Sequence, residues 1–136
     1  MSLVELIEHA GVNYAIFIKA DVQTELGTQF VTDSKSNLQL GLIARDKFHS
    51  IAPHKHLAIE RNIQGTNECI IVRSGKIEVD LYNLTAKKIR TISMLTGDVL
   101  LLSFGGHGIR FLEKSSLLEV KQGPHVLGEK VSIFEG

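Results

Sequence analysis

The amino-acid sequence predicts an all-β fold, arranged as a sandwich or barrel. After residue 13 the chain consists of short apolar and β-branched runs separated by turn residues. In the run KIEVDLY, Ile77, Val79 and Leu81 alternate with polar residues, which is typical of a half-buried antiparallel strand. Helical periodicity is confined to the start of the chain. Many short strands at close spacing favour a sandwich or barrel.

The first twelve residues predict a short N-terminal helix that packs on the barrel. Ser2 and Glu5 have the spacing of a capping box, and Gly11 is a common helix stop signal. The apolar residues between Ser2 and Gly11 share one helical face: Leu3, Leu6, Ile7 and Ala10. No linker or repeat interrupts the remainder, so residues 13–136 are predicted to form a single β-barrel domain.

Ten strand-like runs fill this domain. In chain order they are YAIFIKA, TQFVT, LQLGLIAR, ECIIVRS, KIEVDLYN, KKIRTISM, DVLLLS, HGIRFLE, LLEVKQ and KVSIF. The segments TDSKSN, SGK, NLTAKK and TGD have the residue types of tight turns and lie between runs. The order of strands and turns is therefore consistent with an antiparallel fold.

Composition and charge exclude several functions. The 136 residues include 15 basic and 15 acidic side chains, so no basic field exists to attract nucleic acid. No apolar run approaches the roughly 20 residues that span a bilayer, and the first residues do not resemble a signal peptide. We therefore expect no nucleic-acid or membrane partner and a cytoplasmic location. The single cysteine, Cys69, agrees with a reducing compartment and is interpreted as a packing residue.

A candidate metal site begins with His54 and His56. In a strand, residues two apart point the same way about 7 Å apart, so both imidazoles could reach one ion. Alone, this pair is more typical of an exposed polar strand. Glu68 favours the metal site, because it shares a strand face with apolar residues and a buried carboxylate needs a partner. The other reading of Glu68 is a hydrated residue at the barrel mouth, or one paired with a neighbouring arginine.

His107 is the fourth candidate ligand. It shares a strand face with Ile109 and Phe111, and glycines flank it, as at a bend beside a site. With His54, His56 and Glu68 it completes a set of three histidines and one carboxylate, donors that suit zinc, iron or nickel.

These residues and their spacing resemble the cupin superfamily. His54 and His56 match its His-x-His pair, "ECIIVRSG" matches its Glu, six residues, Gly register, and "GDVLLLSFGGH" has the form of its second motif. The resemblance implies a jelly-roll barrel (a double-stranded β-helix) that holds a divalent ion, Zn, Fe, Ni or Mn, on His54, His56, Glu68 and His107. The chain is also similar to small single-domain cupins associated with bacterial surface-polysaccharide synthesis.

The sequence departs from the family pattern between the second histidine and the glutamate. Eleven residues, LAIERNIQGTN, lie there, where the family usually has three or four. Glu60 fits the short spacing and is the rival ligand, whereas Glu68 alone fits the register with Gly75. We prefer Glu68 and interpret the extra residues as an inserted loop.

The predicted activity is the binding or conversion of a small polar molecule, sugar-like or carboxylate, at this metal. Open metal positions would allow an isomerase, an epimerase or a dioxygenase, and the alternative is a non-catalytic binder with a structural or absent metal. Arg45, Arg61 and Lys121 are candidates for holding an anionic substrate group. Exposed sheet edges predict a homodimer.

Overall fold

The computed structural model describes residues 4–134, and they form ten β-strands. The strands are β1 Val4–His9, β2 Val12–Ile18, β3 Gly27–Phe30, β4 Gly41–Ala44, β5 Glu68–Ser74, β6 Lys76–Tyr82, β7 Lys88–Leu95, β8 Val99–Leu102, β9 Gly106–Phe111 and β10 Ser116–Lys121. The prediction of an all-β fold is confirmed. Within the described range, no helix is long and apolar enough to cross a membrane.

The predicted N-terminal helix is wrong for the residues that the structure describes. β1 and β2 form an antiparallel hairpin in which His9 pairs with Val12. The turn between them places Ala10 at φ 50° and Gly11 at φ 77°, and two successive positive values suit the twist of a two-residue hairpin. Pairing with β2 buries Ile7 and outweighs a weak local helical pattern. The predicted capping residue, Ser2, lies outside the described residues.

The strands form three antiparallel sheets that do not close into a barrel over residues 4–134. The largest sheet has five strands in the order β1-β2-β8-β5-β10, the second has the order β7-β6-β9, and the third is the β3-β4 hairpin. β9 and β10 are therefore edge strands of different sheets. Both strands contribute to the site described below.

Two apolar clusters hold the sheets together. The larger lies between the five-stranded and three-stranded sheets, where Ile77, Val79 and Leu81 of β6 are fully buried, as their alternation predicts. The smaller lies on the opposite face of the five-stranded sheet, where Cys69 packs near the β3-β4 hairpin. Burial raises the pKa of the Cys69 thiol, which is consistent with the packing role.

Residues 45–67, between β4 and β5, contain neither helix nor strand. The strand predicted to carry His54 and His56 is therefore absent, and all side chains from 45 to 66 are exposed. Apolar residues in this segment gain no burial, because no neighbouring strand pairs with it. The last predicted strand run, KVSIF, is also irregular over residues 130–134.

Candidate functional site

Glu68 and His107 meet at one end of the gap between the two larger sheets. Glu68 is the first residue of β5, and His107 lies on β9 opposite Leu81. The Glu68 Oε2 and His107 Nε2 atoms are 3.4 Å apart. Their side chains are 15% and 31% exposed, so both are largely shielded but accessible from solvent. The inward orientation that the sequence predicted for this pair brings them together.

An open cleft of about 640 Å³ surrounds this pair. Its walls include Thr66, Lys121 and Glu129, in addition to Glu68 and His107. A second cavity of about 280 Å³ extends from the same pair. The combined space is large enough for a small organic molecule.

The electrostatic environment makes Glu68 an unusual carboxylate. Its pKa is raised to about 7, first by burial and then by a hydrogen bond with Glu119 and the charge of Glu119, while Lys121 and Lys130 act in the opposite direction. Burial lowers the pKa of His107. Near neutral pH the imidazole is therefore neutral, and the ring nitrogen that carries no hydrogen can accept a proton or bind a metal ion.

Glu119 belongs to the site but was not among the predicted residues. It lies on β10 opposite Ile70, two residues before Lys121, which pairs with Glu68. The signal was present in the run LLEVKQ, because Leu117, Glu119 and Lys121 share one strand face. A single glutamate in such a run is far more often a solvated surface residue.

Lys121, a predicted substrate-binding residue, does line the cleft. Its Nζ atom lies 3.1 Å from Glu129 Oε1, and Thr66 Oγ1 donates a hydrogen bond of 2.8 Å to Glu129 Oε2. The Thr66 and Lys121 contacts hold the pKa of Glu129 below its usual value, and Glu129 raises that of Lys121. We call this arrangement of Thr66, Glu129 and Lys121 the Glu129 bridge.

The structure does not bring His54 and His56 to the cleft. Their ring centroids are 5.4 Å apart, and His54 Nδ1 lies 2.8 Å from the Ala52 carbonyl oxygen. Both rings are exposed, as is Glu60, the rival carboxylate. Among residues 4–134, no group of three or more His, Cys, Asp or Glu side chains is arranged to hold a metal ion.

The two arginines predicted to bind substrate do not line the cleft. Arg45 donates hydrogen bonds to the Ala44 carbonyl and to Thr28 Oγ1, next to the β3-β4 hairpin. Arg61 is exposed in the irregular segment 45–67. Of the three candidates for holding an anionic group, Lys121 is the one with a side chain in the cleft.

Glu68 and His107 alone fit two positions around a divalent ion. Ligand atoms about 2.1 Å from a metal lie roughly 3 to 3.4 Å from each other, and the observed 3.4 Å agrees with this range. No family model matches the chain, and neither a curated protein nor a solved structure matches it. The geometry of the cleft is therefore the basis for assigning a function.

Proposed function

We propose that this protein is a metal-binding protein of the cupin type that binds a small polar molecule, sugar-like or carboxylate, beside a divalent ion. His54, His56, Glu68 and His107 are the proposed ligands. The observation that carries the proposal is the 3.4 Å approach of Glu68 Oε2 to His107 Nε2 inside a cleft open to solvent. The carboxylate and the neutral imidazole are both common ligands of zinc, iron, nickel and manganese.

Completing this site requires the segment that carries His54 and His56 to move onto β9. β9 is an edge strand, so its outer backbone groups are available to another extended segment. The apolar residues Ile51, Leu57 and Ile59 are exposed, and in an extended conformation they would share the face opposite the two histidines. Pairing along β9 would complete the jelly roll and bring both imidazoles toward His107.

The residues of the cleft define what the protein contributes to a reaction. A bound ion would supply Lewis-acid chemistry or oxygen activation, which are the bases of the proposed isomerase, epimerase and dioxygenase activities. In this proposal Lys121 holds an anionic group of the ligand, and Glu68 serves as the proton acceptor. A non-catalytic binder uses the same cleft without turnover.

A zinc titration of protein stripped of metal tests the proposal. We expect His107→Ala and Glu68→Gln to weaken binding about tenfold or more, and His56→Ala to do the same. His49→Ala is the matched control, because His49 is an exposed histidine of the same irregular segment and is not a proposed ligand. Wild-type affinity no tighter than that of His107→Ala would overturn the metal assignment.

The proposal includes a cytoplasmic homodimer. A reducing compartment keeps Cys69 a free thiol. Leu118 and Val120 of the edge strand β10 are about half exposed, which offers apolar area to a second copy. Sedimentation of the purified protein at micromolar concentration should give twice the 15.0 kDa chain mass. A monomer at that concentration would contradict this part of the proposal.

A further inference from the structure

The Glu129 bridge has the form of a bound carboxylate. Each oxygen of the Glu129 carboxylate has its own donor, Lys121 Nζ at 3.1 Å for Oε1 and Thr66 Oγ1 at 2.8 Å for Oε2. The two donors come from distant parts of the chain, since Thr66 precedes β5 and Lys121 ends β10. Glu129 itself reaches them from an irregular segment, residues 123–134, which we call the tail.

Thr66 and Lys121 are held in place without the help of the tail. The residues next to them, Asn67 and Gln122, are joined by two hydrogen bonds. The backbone N–H of Asn67 donates to Gln122 Oε1 at 2.6 Å, and the backbone N–H of Gln122 donates to the backbone carbonyl oxygen of Asn67 at 3.3 Å. Asn67 is 5% exposed, so these bonds are shielded from water. The backbone that carries the two donors would therefore keep its position if Glu129 left.

The tail is held less firmly than the strands that it covers. Val126, Leu127 and Val131 are 60%, 92% and 76% exposed, so they contribute little apolar burial. Near the end of the tail, Ile133 packs against Gly106 and Phe134 forms an edge-to-face contact with Tyr82. Segments with few buried contacts open at low free-energy cost.

We propose that Thr66 and Lys121 form the carboxylate-binding subsite of the cleft, that Glu129 occupies it as an internal competitor, and that the ligand is a small carboxylic acid that displaces Glu129. This deepens the proposed function, because it names the ligand class for the same cleft. Two donors match the two oxygens of a carboxylate. A phosphate has more oxygens than these two donors can serve, and it would face the acidic Glu119 and Glu68 as well as Lys130.

The position of the subsite also defines the remainder of the ligand. Lys121 pairs directly opposite Glu68 across β10 and β5, so a carboxylate held there lies next to the Glu68 and His107 side chains. A hydroxyl or carbonyl group on the adjoining carbon would reach this pair. A small 2-hydroxy acid has both features.

Titration with sodium glycolate, followed through the amide resonances of residues 66 and 67 by NMR, tests the subsite in metal-free full-length protein. Glu129→Gln and Glu129→Ala should each bind glycolate about tenfold more tightly than wild type, as expected when a competitor fills the subsite nine-tenths of the time. Adding Lys121→Met or Thr66→Val to Glu129→Gln should remove the gain. Glu113→Gln, an exposed glutamate outside the cleft, is the matched control.

Three results would overturn the subsite assignment. They are equal glycolate affinity in wild type and both Glu129 variants, a gain in glycolate affinity that survives Lys121→Met, and tighter binding of inorganic phosphate than of glycolate. Circular dichroism of each variant establishes that it is folded. Because the protein is metal-free in this titration, its outcome is independent of the zinc titration. Loss of zinc binding would leave the subsite standing, and failure of glycolate binding would leave the metal assignment standing.

Discussion

Asp80 and Glu68 are two shielded carboxylates that each have a partner on β9, yet their environments are opposite. Asp80 accepts hydrogen bonds from Arg110 at 2.8 and 2.9 Å and from Thr91 at 2.6 Å. Arg110 and then Thr91 hold the pKa of Asp80 well below its usual range. Glu68 has His107 at 3.4 Å, and its pKa rises to about 7.

The difference separates a structural charge from a functional one. His107 and Arg110 are three residues apart on β9 and therefore point to opposite faces of the strand. On one face every oxygen of the carboxylate has a close donor, so the group stabilises the sheet. On the other face the carboxylate borders an open cleft and has the His107 ring and the acidic Glu119 as neighbours, so a ligand or an ion can reach it.

The largest effect is expected from breaking the structural pair. Arg110→Met leaves the carboxylate of Asp80 shielded with Thr91 as its remaining close donor, so the free energy of unfolding should fall markedly. Arg90→Met is the matched control, because Arg90 pairs with Glu5 at 2.7 Å where both side chains are 44% exposed. Exposed pairs contribute only about 0.2 to 1 kcal/mol. Urea unfolding of both variants measures the difference, and equal losses would contradict it.

A smaller effect, of opposite sign for the two carboxylates, is expected with pH. The pKa of folded Glu68 is above the ordinary value of 4.5, so its protonation favours the folded state below pH 4.5 and this stability is lost as pH rises through about 7. The pKa of folded Asp80 is depressed, so its contribution is present above pH 3.8 and is lost on acidification.

Urea unfolding of metal-free protein between pH 3 and pH 8 measures both contributions. Glu68→Gln should flatten the decline between pH 5 and pH 7.5 and should be more stable than wild type at pH 8. Asp80→Asn should instead flatten the loss below pH 4. A Glu68→Gln profile parallel to that of wild type would show that folding does not raise the pKa of Glu68.

The smallest expected effect is on the Glu68 pKa alone. Glu119→Gln removes the negative charge that raises this pKa, so the value should move from about 7 toward 4.5 without a loss of fold. The part due to burial should remain. The side-chain carboxyl carbon of Glu68, followed by NMR across pH, measures the shift, and an unchanged titration midpoint would exclude Glu119 as a cause.

The features that the sequence predicted correctly depend on strand periodicity. Alternation in β6 predicted the buried face of Ile77, Val79 and Leu81. The same argument predicted that Glu68 and His107 point inward, and their side chains are 15% and 31% exposed, but it is wrong for Phe111, which shares the strand face of His107 and is 57% exposed. Parity works best in β6, because alternate residues of a strand point to opposite faces and its apolar face packs against the five-stranded sheet.

The features that failed depend on long-range competition between conformations. The first residues have a helical pattern, but pairing with β2 through the Ala10–Gly11 turn decides their structure. Glu129 could not be found by periodicity, because an irregular tail has no register and its contact with Thr66 spans 63 residues. Whether His54 and His56 join the cleft depends on the free energy of moving an exposed segment, which no local pattern encodes.

The order of the five-stranded sheet has a practical consequence for labels and fusions. β1 and β10 are its opposite edges, four strand spacings apart, which is about 19 Å. An affinity tag or a fluorophore attached before β1 is therefore far from the Lys121 end of β10. The same group attached after Phe134 would extend from the tail that carries Glu129. A fluorophore placed there to monitor ligand binding would therefore perturb the cleft itself.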